Sequence, residues 1–125
     1  MKIKSISLGW ISTSNLAEAK KFFQEDLGLK LTSDNEDMGW LELSSQGGEG
    51  ITLGIADGSC EESPKPGSNT ILTFTVDGKI EDAKKELEDR GVTFEGAIIE
   101  VPGHVKMVTF FDKDHNMFQL VEKLD

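Results

Sequence analysis

Apolar and polar residues alternate along the first stretch of the chain, roughly residues 2–12. Ile6, Leu8, Trp10 and Ser12 fall on one side of this predicted strand, and Gly9, Ile11 and Thr13 on the other. The period then lengthens. Leu16, Ala19, Phe22, Phe23 and Leu27 recur at helical spacing. Ser14-Asn15 stand where side chains can accept from the first free N–H groups, and Gly28 is placed for a left-handed C-terminal cap. Three further strands are predicted over residues 29–32, 40–44 and 51–56. The turn-rich stretches Ser33-Asp-Asn-Glu-Asp and Gln46-Gly-Gly-Glu-Gly separate them. The order is β-α-β-β-β.

The second half repeats that order. Residues 70–76 alternate as a strand, and residues 79–90 form a helix that buries Ile80, Ala83 and Leu87 and ends at Gly91. Strands are expected over residues 92–94, 105–111 and 117–121, with Pro102-Gly103 breaking the chain before the second of them. The repetition is literal in the helices. Leu16, Glu18, Ala19, Lys20 and Lys21 return 64 positions later as Ile80, Asp82, Ala83, Lys84 and Lys85. Gly28 returns 63 positions later as Gly91, so the second helix is one residue shorter. A repeat of this length is a supersecondary unit, and two copies imply two similar halves with a cleft within or between them. The expected organisation is a single domain over 1–125: a first module over 1–56, a Gly-, Pro-, Ser- and acid-rich linker over 57–68, and a second module over 69–125.

Composition narrows the function classes. The 125 residues suffice for one moderate core. No apolar run is long enough to span a membrane, and Met1-Lys-Ile-Lys-Ser lacks the apolar stretch of a secretion signal. One cysteine, Cys60, excludes an internal disulfide and fits a reducing cytoplasm. Its neighbours Glu61 and Glu62 would raise its pKa, so an exposed, unreactive thiol is expected. The net charge of −10 argues against nucleic acid and anionic lipid, and would attract cationic small molecules if it reaches a binding cleft.

Three motifs in order carry a resemblance that covers nearly the whole chain. Asn15 to Leu29 is similar to a first helix leading into "F-Y-x-x-x-L-G", with Phe23 where tyrosine is usual. Phe74-Thr-Val-Asp77 and Gly91-Val92 follow. Phe110-Phe-Asp-Lys-Asp-His-Asn116 is similar to the turn "F-x-D-P-D-G-N", with Lys113 and His115 replacing Pro and Gly. In these features the chain resembles the vicinal oxygen chelate superfamily of glyoxalase I, extradiol dioxygenases, fosfomycin-resistance proteins and bleomycin-binding proteins. The resemblance implies an α+β, glyoxalase-like fold of two βαβββ modules forming an open curled barrel around a cavity. It also implies a homodimer.

Members that do metal chemistry place four ligands on the first and last strands of each module. Carried over by that resemblance, the positions are Leu8, Gly54, Ile71 and Gln119. A slip of one or two residues brings in Ser7, Gly9, Thr70 or Leu72 instead. A Zn²⁺, Ni²⁺ or Fe²⁺ site needs about three N, O or S donors from the protein. These positions offer one amide, so no metal and no cofactor are expected. Other chemistry is sparse. His104 and His115 are expected to be exposed loop histidines, and Asp112 and Asp114 are explained by turn chemistry. Gly47-Gly48-Glu49-Gly50 lacks the lysine and helix of a phosphate-binding loop. No catalytic residue is assigned.

Alternation also gives the residues expected to face the cavity. The predicted ligand-binding set is Trp10, Trp40, Thr73, Met107, Thr109, Phe111 and Gln119, with Glu42 placed to join it. Such a lining, apolar with a few amides and hydroxyls, suits a small organic molecule. Trp rings beside an acid favour a cationic or aromatic guest. Three functions compete. The first is a metal-free binding protein of bleomycin-resistance type, favoured by the intact fold pattern, the missing donors and the aromatic lining. The second is a metal-dependent lyase or transferase of glyoxalase or fosfomycin type. The third is a non-catalytic structural or regulatory dimer module.

Overall fold

The computed structural model describes residue 2 and residues 6–59, 63–69 and 71–124. Cys60 lies outside these residues, as do residues 3–5 of the first predicted strand and Thr70. The chain divides into two compact units, residues 1–69 and 70–125.

The first unit runs β1 (Leu8–Thr13), α1 (Leu16–Lys21), a π-helical turn (Phe22–Asp26), β2 (Lys30–Asn35), β3 (Trp40–Ser44) and β4 (Thr52–Asp57). Its sheet has the order β1-β4-β3-β2, with β1 parallel to β4 and the other pairs antiparallel. Asn15 starts the helix by accepting from the Glu18 N–H at 3.1 Å, as its position in the sequence suggests. The helix lies against β3 and β4. Ile11, Leu41, Leu43, Leu53 and Ile55 are buried on that side of the sheet, beneath Ala19, Phe22 and Phe23. The two phenylalanine rings meet edge to face, with centroids 5.0 Å apart.

The extra residue of the first helix has a structural counterpart. The Leu27 N–H donates to the carbonyl of Phe22, five residues back, at 3.0 Å. A single π turn absorbs one inserted residue without ending the helix. Both helices then stop at glycines in the left-handed region, Gly28 at φ 74° and Gly91 at φ 89°.

The second unit runs β5 (Leu72–Thr75), α2 (Ile80–Asp89), β6 (Thr93–Val101), β7 (Val105–Phe111) and β8 (Met117–Lys123), in the order β5-β8-β7-β6. Here the strands supply the aromatic bulk. Phe74, Phe110 and Phe118 pack with centroids 5.5–6.1 Å apart, and Phe94 adjoins Phe110. Ile80 and Leu87 of α2 are buried, while Ala83 is half-buried.

β8 reaches Lys123 rather than residue 121, and two edge strands also run further than the sequence pattern indicates. β6 continues from the expected residues 92–94 region to Val101, across a register shift between Glu95 and Ile99 that contains Gly96 at φ 74°. The bulge breaks the two-residue period, and an edge strand exposes most of its side chains, so alternation does not mark it. β2 likewise extends through Ser33–Asn35, past a shift between Leu31 and Ser33. Among the described residues no helix is long and apolar enough to cross a membrane.

Candidate functional site

Opposite its helix, each sheet carries a row of residues aligned across the strands. In the first unit the register aligns Trp10, Gly54, Glu42 and Ser33. Trp40 lies two residues before Glu42 on the same face and pairs with Ala56. Its indole leans back over Gly54. A Cβ built on Gly54 would lie 2.5 Å from both Cη2 and Cζ2 of Trp40 and 3.1 Å from the Cβ of Trp10. The Trp40 Nε1–H donates to Oε2 of Glu42 at 2.8 Å. Trp10 completes the patch, its ring centroid 5.9 Å from that of Trp40 at an interplanar angle of 59°. Trp10 is 43% exposed, unusual for so large an apolar side chain in mid-strand. Lys30, opposite Ser44 at the start of β2, is a cation on the same face.

In the second unit the corresponding row is Thr73, Gln119, Thr109 and Glu95. It is a line of hydroxyls, an amide and a carboxylate. Thr73 is exposed; Gln119 and Thr109 are half-buried. The structure therefore brings Thr73, Thr109 and Gln119 together, and adds Glu95, which falls one residue past the strand predicted over 92–94 and so is not read from alternation. Met107 pairs with Val121 one step along the same face.

Phe111 differs from the rest of the predicted set. It is buried, and the His115 ring stacks on it with centroids 4.1 Å apart and planes within 6°. His115 itself remains exposed and has φ 66°, the left-handed region that a glycine at this turn adopts without strain. Stacking on Phe111 offsets the strain of a histidine there. The turn is held by Asp112, whose carboxylate accepts from the N–H of Asp114 at 3.0 Å and of Asn116 at 2.8 Å. It also accepts from Nδ2 of the buried Asn116 at 2.9 Å. Burial pushes the Asp112 carboxyl above its ordinary pKa, against the opposing pull of these hydrogen bonds. Asp112 is thus a turn-former, as the sequence suggests, with Asp114 contributing its backbone N–H. His104 is exposed at the β6–β7 turn, where its backbone bonds to Val101 and Leu124.

The donor set does not fit the metal that the fold family implies. Leu8 and Ile71 offer no lone pair, and the register sets Trp10, not Leu8, beside Gly54, and Thr73, not Ile71, beside Gln119. Shifting to those neighbours adds one hydroxyl. Any side chain at position 54 would collide with the Trp40 ring. Among the described residues no three His, Cys, Asp or Glu side chains come together to hold an ion. A shallow hollow of about 520 Å³ elsewhere on the first unit is lined by Lys20, Asp34, Asn35, Glu36, Asp37 and Met38. Lys20 bridges Asp34 and Glu36 there, and this pairing raises its pKa. Its walls are exposed and charged, with none of the apolar cover of a small-molecule site.

Comparison with known proteins supports the same architecture. A protein from Sphaerobacter thermophilus of the glyoxalase/bleomycin resistance/dioxygenase superfamily is 27% identical. The match covers 97% of this chain and 98% of that one, with a TM-score of 0.83. TnmS3, an antibiotic-binding protein from Streptomyces sp. CB03234, is 25% identical over 98% of both chains, with a TM-score of 0.81. A glyoxalase/bleomycin resistance protein from the same Streptomyces strain is 26% identical over 93% of this chain and 98% of that one, with a TM-score of 0.74. A search of curated proteins found no match. The family model for this superfamily matches residues 2–120. The chain belongs to the Glyoxalase/Bleomycin resistance protein/Dioxygenase superfamily, with two four-stranded mixed sheets of the glyoxalase-like fold.

Proposed function

We propose that this protein binds a small organic molecule without a metal ion, holding it against the aromatic face of the first unit, and acts by sequestration rather than turnover. One observation carries the reading: the Trp40 ring fills the space over Gly54, a position where the family's metal enzymes place a ligand. A face built this way offers stacking surface and the single carboxylate of Glu42, short of the three or so donors a metal site needs. The similarity to an antibiotic-binding protein of the same size supports binding as the task.

The guest best suited to this face is a cationic or neutral aromatic compound. Two indoles present π surface, Glu42 supplies negative charge within the patch, and the chain carries −10 overall. A phosphate or carboxylate group would lose its hydration beside Glu42, and the exposed Lys30 on that face, a screened charge at the strand end, returns little. On the second unit's own face, Thr73, Thr109 and Gln119 are proposed as polar contacts for such a molecule, Met107 as an apolar one, and Phe111 as a wall reached only if His115 swings aside. The reading includes a homodimer, as most relatives of this fold are expected to form.

The test uses Trp fluorescence and thermal shift with 9-aminoacridine, 1-naphthyl phosphate, fosfomycin and S-hexylglutathione. Micromolar binding of 9-aminoacridine, with the phosphate at least tenfold weaker, is expected. Tight binding of fosfomycin or the glutathione adduct, abolished by Gln119→Ala, would overturn the reading. So would one equivalent of Zn, Ni, Mn or Fe that survives dialysis. Native mass spectrometry tests the dimer.

A further inference from the structure

We infer that Gly54 and Glu42 are positioning residues that fix the Trp40 indole as a rigid wall of the first unit's face; the consequence for binding rests on the function proposed above. Three features converge on one ring. No backbone requirement explains glycine at position 54, which lies mid-strand outside the left-handed region. Its missing side chain is instead what admits the indole, since a Cβ there would stand 2.5 Å from two ring carbons. Glu42 holds the other edge of the ring through the 2.8 Å bond from Nε1. Glu42 is itself held at a defined place in the sheet. Thr32, at the β2 irregularity, donates its hydroxyl to the Glu42 carbonyl at 3.2 Å, and Gly54 pairs with Glu42 directly in the β3–β4 ladder. A tryptophan side chain on a half-open face would otherwise sample several rotamers. A seat beneath the ring and a lock at its nitrogen leave one, and a pre-fixed ring does not lose rotamer freedom when a planar guest stacks on it.

The test reads the ring directly. The chain has two tryptophans and no tyrosine, so its emission and its near-UV signal beyond the phenylalanine bands report Trp10 and Trp40 alone. Rings 5.9 Å apart and tilted by 59° should give an exciton couplet in circular dichroism near about 230 nm, lost in Trp10→Phe and Trp40→Phe. Gly54→Ala should abolish the couplet and lower Tm by roughly 5 °C, and the same change in a Trp40→Ala background should cost clearly less, because only the 3.1 Å contact with the Trp10 Cβ then remains. That background also keeps the test alive if the single variant does not fold. Glu42→Ala should weaken the couplet, and Glu42→Gln, which can still accept from the indole, should restore it. An unchanged couplet in Gly54→Ala or Glu42→Ala overturns the positioning role, as does an equal cost of Gly54→Ala in both backgrounds. Binding of 9-aminoacridine should weaken at least tenfold in Gly54→Ala. Absence of binding in the wild type, with the couplet behaving as described, counts against the proposed function and leaves the positioning role standing.

Discussion

The two units share a strand order and differ in where they keep their bulk. In the first, the helix brings Phe22 and Phe23 to a sheet that answers with Ile and Leu. In the second, the strands bring Phe74, Phe94, Phe110 and Phe118, and the helix answers with Ile80 and Leu87. The volume between helix and sheet is filled either way, because close packing constrains the sum of side-chain volumes more than their origin. The opposite faces have no such constraint, and they diverge further. The first presents Trp10, Gly54, Glu42 and Ser33; the second presents Thr73, Gln119, Thr109 and Glu95. The helix-covered face preserves the fold, and the other face is free to carry chemistry.

The largest effects should come from the two cores. Phe23→Ala and Phe118→Ala should each cost about 3–5 kcal/mol in urea unfolding, as buried phenylalanine truncations do; both side chains are fully buried. Phe22→Ala belongs in the same range. If neither Phe22→Ala nor Phe23→Ala moves Tm, the helix face has been misassigned and the exchange of bulk between units is false.

The turns before the last strands give the next test. The second unit holds Asp112–Asn116 with side-chain bonds onto the part-buried Asp112 carboxylate. The first uses an exposed glycine-rich stretch with a backbone bond from Gly48 to Ser45 and exposed bonds donated by the Ser45 hydroxyl to the Glu49 carbonyl and by the Gln46 amide to the Gly28 carbonyl. Asn116→Ala removes a buried donor and leaves Asp112 short of a partner, at a cost of about 1–3 kcal/mol. Gly47→Ala, in the first unit's turn, has open space around it and should change stability by less than about 0.5 kcal/mol. Comparable losses at both sites would remove this distinction.

Deleting Gln24 sharpens the comparison of helices. It takes one residue from the π turn and gives α1 the length of its repeat. The chain should still fold, with a loss of roughly 1–2 kcal/mol, below that of Phe23→Ala. A larger loss would mean that the turn itself positions Leu27 and Leu29.

The smallest effect is one of pH. Burial raises the Asp112 carboxyl above its unfolded pKa, so the folded state holds the proton more tightly. Its stabilising contribution is present below the ordinary carboxylate range and is lost as the pH rises through the folded value. The wild type should therefore gain on Asp112→Asn as the pH falls from neutral towards about 3. A gap in urea midpoint that narrows on acidification contradicts that direction.

Much of this was legible in one sequence. The 64- and 63-residue spacings revealed two units and, in their mismatch, the extra residue that the π turn accommodates. Capping at Asn15, the glycine stops at 28 and 91, and the inward faces of β1 and β3 follow from local periodicity, because hydrogen bonding and burial along one element depend on neighbours in the chain. The tryptophans, Thr73, Thr109 and Gln119 were picked out by the same alternation.

What local pattern could not supply was register and ring placement. That Trp10 rather than Leu8 stands beside Gly54, that Trp40 leans over a residue two rows from its own pairing, and that His115 caps Phe111 all depend on strands distant in sequence. Edge strands β2 and β6 escaped for a related reason: a bulge resets the two-residue period, and exposed positions carry no burial signal. Along the regularly alternating strands, the sequence alone determined which residues face the helix and which are free. Only the tertiary structure decided what those free residues meet, because a contact across strands is fixed by pairing geometry and steric exclusion, and neither is written in the spacing of one segment.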